Sequence, residues 1–409
     1  MSRAPARALV PLAATQTSFR WVMLALAWLV YAGFGMTTMT LAPLVDFITR
    51  DLHMNSTQMG VVLGSWQLVY IGTAFVLGTL VDRLGVRRSM VAGIVVIWLS
   101  LVLRAVAVDF FTLLAAVALF GVGAPLVSVG APKITVLWFP PRERGVAAAA
   151  YSTAPILGMA FALMATNSVV LPLVGHWRLT FVAYGLLLLG VAMLWWLFAR
   201  DAGARGEVGE EGAPVSGLRG ELGTLLRLRT LRVVLVLGFV AFFLNHGLNN
   251  WLPTLLQEQG MSRGQAGVWA ALPLVVGVFG LLLVLVVSGP GKRALLLATL
   301  LLTAAATTVG LTQMGGVPLL GVLVISGVAR NPLLVLLQLS LMDAPAIGAR
   351  RTGAANGLLF TAAETGGFAG PLLMGAMRDI TGDLTAGTLV LAGLTLALAP
   401  AAWLLRARD

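Results

Sequence analysis

The chain has 409 residues, 59% of them hydrophobic and only 11% charged, with a formal net charge of +11. A water-soluble domain carries about a quarter charged residues, so this composition excludes water as the only solvent. With no cysteine, and with His53, His176 and His246 in unrelated segments, disulfides, thiolate sites and a histidine metal cluster are excluded too.

In chain order, apolar runs long enough to cross a hydrocarbon core of about 30 Å as helices are expected at 21–46, 58–81, 88–107, 111–138, 145–172, 178–199, 231–256, 265–288, 293–314, 317–341, 352–376 and 384–405. The fold class is therefore all-α, a polytopic membrane protein of twelve spans. Arg3, Arg7 and Arg20 precede the first run, which is too long for a cleaved signal peptide, so the N-terminus is expected to stay on the cytoplasmic side. From that start, 21 of the 27 Lys and Arg fall in cytoplasmic segments and five outside, leaving Arg330 alone at depth. This is the positive-inside bias. The basic loops suit an anionic inner leaflet, so the net charge needs no nucleic acid partner. A monomeric, multi-pass protein of the cytoplasmic membrane with both termini inside is expected.

The long polar interval RDAGARGEVGEEGAPVSGLRGELG, residues 200–223, reads as a cytoplasmic linker. It divides the chain into an N-terminal six-helix bundle (1–199), a linker (200–230) and a C-terminal six-helix bundle (231–409). The halves echo one another. MNSTQMGV at 54–61 and MSRGQAGV at 261–268 share Met, Gln, Gly and Val at one offset. AYSTAPILG at 150–158 and GGFAGPLLMG at 366–375 are both small-x-x-x-small-Pro, a pattern that lets helices approach closely and bends them. Such internal repeats are a mark of transporter folds.

GTLVDRLGVRR, at the end of the second run, resembles the G-x-x-x-D-R-x-G-R-R loop of the major facilitator superfamily, with Gly78, Asp82, Arg83, Gly85, Arg87 and Arg88 in the matching places. The resemblance covers essentially the whole chain. It implies two six-helix bundles, a midplane substrate site and alternating access, with this loop as a latch between the halves at the inner face. The second copy, VVSGPGKR at 286–293, lacks the Asp, and its glycine spacing is also wrong for an ATP-binding GxxxxGK[ST] loop. Proton-coupled drug exporters of the superfamily carry Arg in the fourth helix four residues before a Gly; here Val117 precedes Gly121. Their fifth-helix signature is only approximated by Ala150, Ala154, Pro155 and Gly158. Residues 246–267 and 350–382 look most like the cyanate and nitroimidazole branch and the small organic-anion carriers near it.

Charge at the centre of a span costs about 2.5–3.5 kcal/mol on insertion scales, so each such residue needs a reason. At about 1.5 Å rise per residue, Arg330, Glu364 and His246 share roughly one depth in the second half. Two readings of Arg330 stand: a structural pair with Glu364, or a counter-ion whose planar fork suits an anionic substrate. Asn245 and Asn249 share one helical stripe and His246 and Asn250 the next; with Asn331 they make a polar face suited to a cavity. Tyr31, Trp66, Gln67, Tyr70 and Tyr151 are candidates for the opposite wall. Glu364 is the candidate proton site. Arg104 and Lys133 are expected to snorkel to headgroups.

The resulting expectation is a secondary transporter of a small anionic organic solute, driven by a proton or solute gradient, with no cofactor and no metal. The alternative is a proton-coupled exporter of cationic or neutral compounds that uses Glu364. An enzyme is disfavoured, because no nucleophile and base share a depth; a membrane sensor is disfavoured because the linker is too short to be a signalling domain.

Overall fold

The computed structural model describes residues 14–201 and 218–406. Helices run back and forth in the order α1 (Ala14–Met39, continued by Val45–Asp51), α2 (Ser56–Leu84), α3 (Val86–Ala105), α4 (Phe110–Ser128 and Gly130–Trp138), α5 (Arg144–Ala165, continued by Thr166–Val170 and Leu171–Val174), α6 (Trp177–Phe198), α7 (Arg229–Glu258), α8 (Arg263–Val287), α9 (Arg293–Gln313), α10 (Gly316–Arg330 and Leu333–Met342), α11 (Gly348–Thr381) and α12 (Thr385–Leu398, continued by Ala399–Arg406). Among the described residues there is no strand. Eleven of these stretches are long and apolar enough to span a membrane. The twelfth, α11, has the length at 34 residues but carries Asn356, Thr361, Glu364 and Thr365 along its middle.

Local chemistry explains where the helices begin. Asn55 and Gln58 form a reciprocal cap on α2, Asp109 and Thr112 do so on α4, and Ser262 accepts from Gln265 N at the start of α8. Each satisfies amides that a helix start leaves orphaned. All three caps lie at the end of the bundle opposite the linker, called here the distal end.

The linker differs from its sequence reading. Leu218–Arg227 is a helix, and Leu225 is fully buried in the cluster built on Leu231, Val234, Leu336 and Leu337. A leucine at that position finds an apolar floor under α7, and burying it favours helix over coil. Residues 202–217 lie outside the described residues.

The repeated small-residue motifs do the same work in both halves. A Cβ at Gly158 would fall 1.9 Å from Ala32 O, and one at Gly35 would fall 2.0 Å from Pro155 O, so α1 and α5 pack backbone to backbone. In the second half a Cβ at Gly366 or Gly370 would fall 2.1 or 2.2 Å from Phe239 O or Phe243 O, which joins α11 to α7 in the same way. The two six-helix bundles are thus pseudo-equivalent, each held by close packing rather than by water exclusion.

Between the bundles the contact is one-sided. Along α2 and α11, Gly60 meets Pro371, Gly64 meets Phe368 and Gly375 meets Ser56, whereas Gly72, Gly78, Gly353 and Gly357 meet nothing within 4 Å. Along α5 and α8, Gly267 meets Leu163 O and Gly264 meets Ser168, while Gly145 is open. The halves therefore close at the distal end and part toward the linker.

Candidate functional site

Helix α10 breaks where its charge sits. Pro332 has no N–H to give the helix ladder, and the helix stops at Arg330 and resumes at Leu333. Asn331 Nδ2 donates to Pro273 O on α8 at 3.0 Å and to Gly327 O at 3.2 Å. Gly277 makes the room, since a Cβ there would fall 1.4 Å from Asn331 Nδ2. Asn331 thereby braces the break.

Arg330 is 2% exposed. Its Nε donates to Ser326 Oγ at 2.9 Å, and its Nη1 donates to Asn245 Oδ1 at 3.4 Å and Asn249 Oδ1 at 3.3 Å. Asn245 also donates back to Arg330 O at 3.3 Å, covering a carbonyl at the break. The asparagine stripe on α7 thus holds the guanidinium with neutral acceptors. Ser326, one turn before Arg330, was not singled out by sequence, though its i, i+4 spacing is the signal that would have found it.

Of the two readings of Arg330, the structural pair with Glu364 is not formed: among the described residues no ion pair joins them, and Glu364 Oε2 is buried with no hydrogen-bond partner. The two residues were matched by depth alone, and depth does not specify azimuth around a helix. Glu364 lies one turn from Gly367 on α11.

His246 joins the halves. Gln67 Nε2 lies 3.3 Å from Gly367 O, which must accept, so the amide nitrogen is the donor and its second hydrogen points at His246 Nδ1, 3.1 Å away. Trp66 tilts against the same imidazole at 6.1 Å, and Phe242 at 5.1 Å. Asn250 does not reach this node: it is 2% exposed and donates to His246 O within its own helix.

The first-half candidates pack as one aromatic cluster. Tyr31 packs edge-on to Tyr151 at 6.0 Å and Trp66 edge-on to Tyr70 at 6.3 Å, with Phe34 and Phe120 behind them. Ser128, unremarked in the sequence, gathers both phenols: Tyr31 donates to its carbonyl at 3.3 Å and Tyr70 shares a hydrogen bond with its hydroxyl at 3.1 Å. It lies at the break in α4, beside Pro125.

Arg104 does not snorkel. It is 1% exposed, donating from Nη1 to Thr37 O at 3.1 Å and Thr40 Oγ1 at 3.2 Å, with its guanidinium over Phe120 at 5.8 Å. The end of α1 bends over α3 and buries it. Lys133 is half-buried on the second segment of α4.

At the linker end, Arg87 donates to Trp196 O at 3.0 Å and lies over that indole, both within the first half. Arg83 and Arg88 are exposed, Gly78 has open space beside it, and Gly85 takes φ +78° to turn α2 into α3. The Asp82 side chain lies outside the described residues. Arg20 pairs with Glu143 at 2.9 Å, and Arg293 pairs with Asp343. Each of these contacts stays inside one half, so no cross-half latch is described at this end.

The cross-half lock is at the distal end, where sequence reasoning missed it. Asp379 Oδ1 accepts from Ser56 N at 2.9 Å, and its Oδ2 accepts from Thr57 N at 2.7 Å and Thr57 Oγ1 at 2.6 Å. A carboxylate from α11 thus caps the start of α2. Burial pushes this carboxyl up, but the donors of Thr57 and Ser56 outweigh it and hold it below the usual carboxylate range. Arg378 bridges Asp46 of the first half at 3.4 Å and Glu258 of the second at 2.9 Å. The Arg-Asp pair just past the expected end of the eleventh run, facing the capped start of the second, was the available signal.

The sequence model of the Major Facilitator Superfamily matches residues 27–371. A hexuronate transporter of Bacillus subtilis (strain 168) is 26% identical over 367 residues, covering 85% of each chain. A probable galactarate/D-glucarate transporter of the same organism is 25% identical over 301 residues, 66% of this chain and 64% of its own. The crystal structure of a bacterial homolog to the human lysosomal transporter Spinster, in an inward-facing and occupied conformation, superposes with a TM-score of 0.78 at 16% identity over 96% of this chain and 97% of that one. With two pseudo-equivalent six-helix bundles and a family match over most of its length, the chain is a multi-pass membrane protein that belongs to the Major Facilitator Superfamily.

Proposed function

We propose that this protein is a secondary transporter of a small organic anion carrying a carboxylate, bound between Arg330 and the Tyr31–Tyr70–Tyr151 wall. The carrying observation is that Arg330, buried at a helix break, has three neutral acceptors and no carboxylate partner. A guanidinium taken out of water at a cost of several kcal/mol keeps its whole charge for an incoming anion, and its fork can engage a carboxylate in two bonds. The sugar-acid names of the relatives agree with this class. In this reading the protein works at the cytoplasmic membrane with the linker inside, the halves rock about the Gln67–His246 contact, and Glu364 carries a coupled proton.

The test is glucuronate binding to the purified protein. Arg330→Ala should abolish it and Arg330→Lys should recover little, because the fork is lost. Wild-type affinity in the Arg330→Ala, Glu364→Ala double variant, correctly folded, would reject the anion site.

A second reading is favoured by one observation: among the described residues Glu364 is in no ion pair and has one oxygen sealed without a donor. It would then be the counter-ion of a cationic compound, and Arg330 a brace for α10. Saturable, Glu364-dependent binding of tetraphenylphosphonium without glucuronate binding would select it.

A further inference from the structure

On the distal face, beyond the closed contact between the halves, lies a cavity of ≈ 700 Å³ that shares no lining residue with the surroundings of Arg330. Its cations are uncompensated. Arg50 and Arg263 both line it and are in no ion pair among the described residues, while the cavity's carboxylate, Asp51, is already engaged by Arg178. Arg263 enters from α8 of the second half, with its guanidinium over the Phe47 ring of the first half at 4.3 Å. Phe47 and Arg50 are one turn apart on the α1 continuation, so the two guanidinium groups face the same space.

The floor is polar and unsatisfied. Thr166–Val170 is a turn of π-helix in α5, a form frequent at functional sites. It brings Asn167 into the wall. Asn167 Nδ2 donates to Pro43 O at 3.0 Å, which sets the amide's orientation and leaves Oδ1 as the other atom; that oxygen is buried with no donor in a residue 8% exposed. A buried acceptor left unpaired is costly, and what it lacks is an O–H or N–H. His176 at the rim accepts Arg178 N on Nδ1 at 3.2 Å, so in its neutral form it presents Nε2–H. Trp177 is a further lining aromatic.

We propose that this cavity is a second binding site, for a hydroxylated carboxylate: the carboxylate between Arg50 and Arg263, a hydroxyl donating to Asn167 Oδ1, and the carbon skeleton against Phe47. Neither charge alone nor hydroxyls alone match the set. Because Arg263 belongs to one half and Arg50 and Asn167 to the other, the occupant touches both halves across the closed distal end. The site stands independently of what the central cleft carries.

The cysteine-free chain allows a direct reporter. Pro172, exposed and lining the cavity, is changed by Pro172→Cys and labelled with bimane in the full-length protein in phosphatidylcholine nanodiscs. Glucuronate is then titrated against acetate, which has no hydroxyl, and glucose, which has no charge. The expected result is a saturable glucuronate response that survives Arg330→Ala and weakens about tenfold or more in Arg50→Gln and in Arg263→Gln, as for loss of a charge-assisted bond, with acetate and glucose far weaker. Both substituted arginines are exposed, so folding is not at risk. The proposal is overturned by the absence of a saturable response, by one that survives both arginine substitutions, or by one lost with Arg330→Ala, which would report the central cleft instead.

Discussion

Gln67 on α2 and His246 on α7 lie 3.1 Å apart, each from a different half of the molecule, just below the level where Gly64 meets Phe368. Their contact is the polar apex of the cleft. Gln67→Leu removes it while keeping the buried volume close, so the closed distal end should lose about 1 kcal/mol, the net worth of a typical hydrogen bond. Spin labels at Val108→Cys and Met314→Cys, exposed distal positions in opposite halves, should then show a larger open population. An unchanged distance distribution would remove Gln67 from the closing contact.

Glu364 has no bonding partner for its sealed oxygen. An isolated buried carboxylate is costly, and a proton relieves that cost. Glu364→Gln should therefore preserve binding of the anion yet uncouple uptake into proteoliposomes from an imposed pH gradient. Transport in this variant that remains fully driven by the gradient would exclude Glu364 as the proton carrier.

Asp379's share of the distal lock should be insensitive to pH through the neutral range. The depressed titration of Asp379 means that its contribution is fully present above the ordinary carboxylate value and is lost only as pH falls through the depressed one. In a Glu258→Gln background, which removes a carboxyl of the lock that burial pushes above the usual carboxylate range, the same spin-label pair should report a constant closed fraction from neutrality down to the ordinary carboxylate value. Asp379→Asn, which keeps one acceptor, should shift the closed equilibrium by about 1 kcal/mol or less at every pH above the ordinary carboxylate value, because the group is largely exposed. Opening that begins near neutrality would show that another group governs the lock.

At the linker end the loop from Gly78 to Arg88 makes its described contacts within its own half. If it latches the halves, it does so when they close at that end. Asp82→Asn should thus slow transport far more than it weakens glucuronate binding, and equal losses in both would count against a latch.

The side on which the linker lies follows from the distribution of Lys and Arg. A cysteine placed by Gly212→Cys in this cysteine-free chain should be unreachable by an impermeant maleimide added to intact cells; labelling from outside would reverse the topology.

Much of the architecture is a one-dimensional property and could be read directly. The length of apolar runs determines how many times the chain crosses a bilayer, because a span must satisfy its own backbone and cover the hydrocarbon thickness. The small-residue motifs around Pro155 and Pro371 announced close helix contacts, and the asparagine stripe of α7 was legible because i and i+4 share a face. Depth along each span was also legible, which is why Arg330, Glu364 and His246 were singled out together. Azimuth was not. Only the packed structure decided that Arg330 turns to Asn245, Asn249 and Ser326 while Glu364 Oε2 is sealed without a partner, since a helix's rotation is set by what its neighbours offer. Nor could sequence show that Arg104 is buried, because its cover is the bent end of α1. The lock of Arg378 and Asp379 on Asp46, Ser56 and Thr57 joins residues more than 300 positions apart, through a contact that exists only where the two halves close.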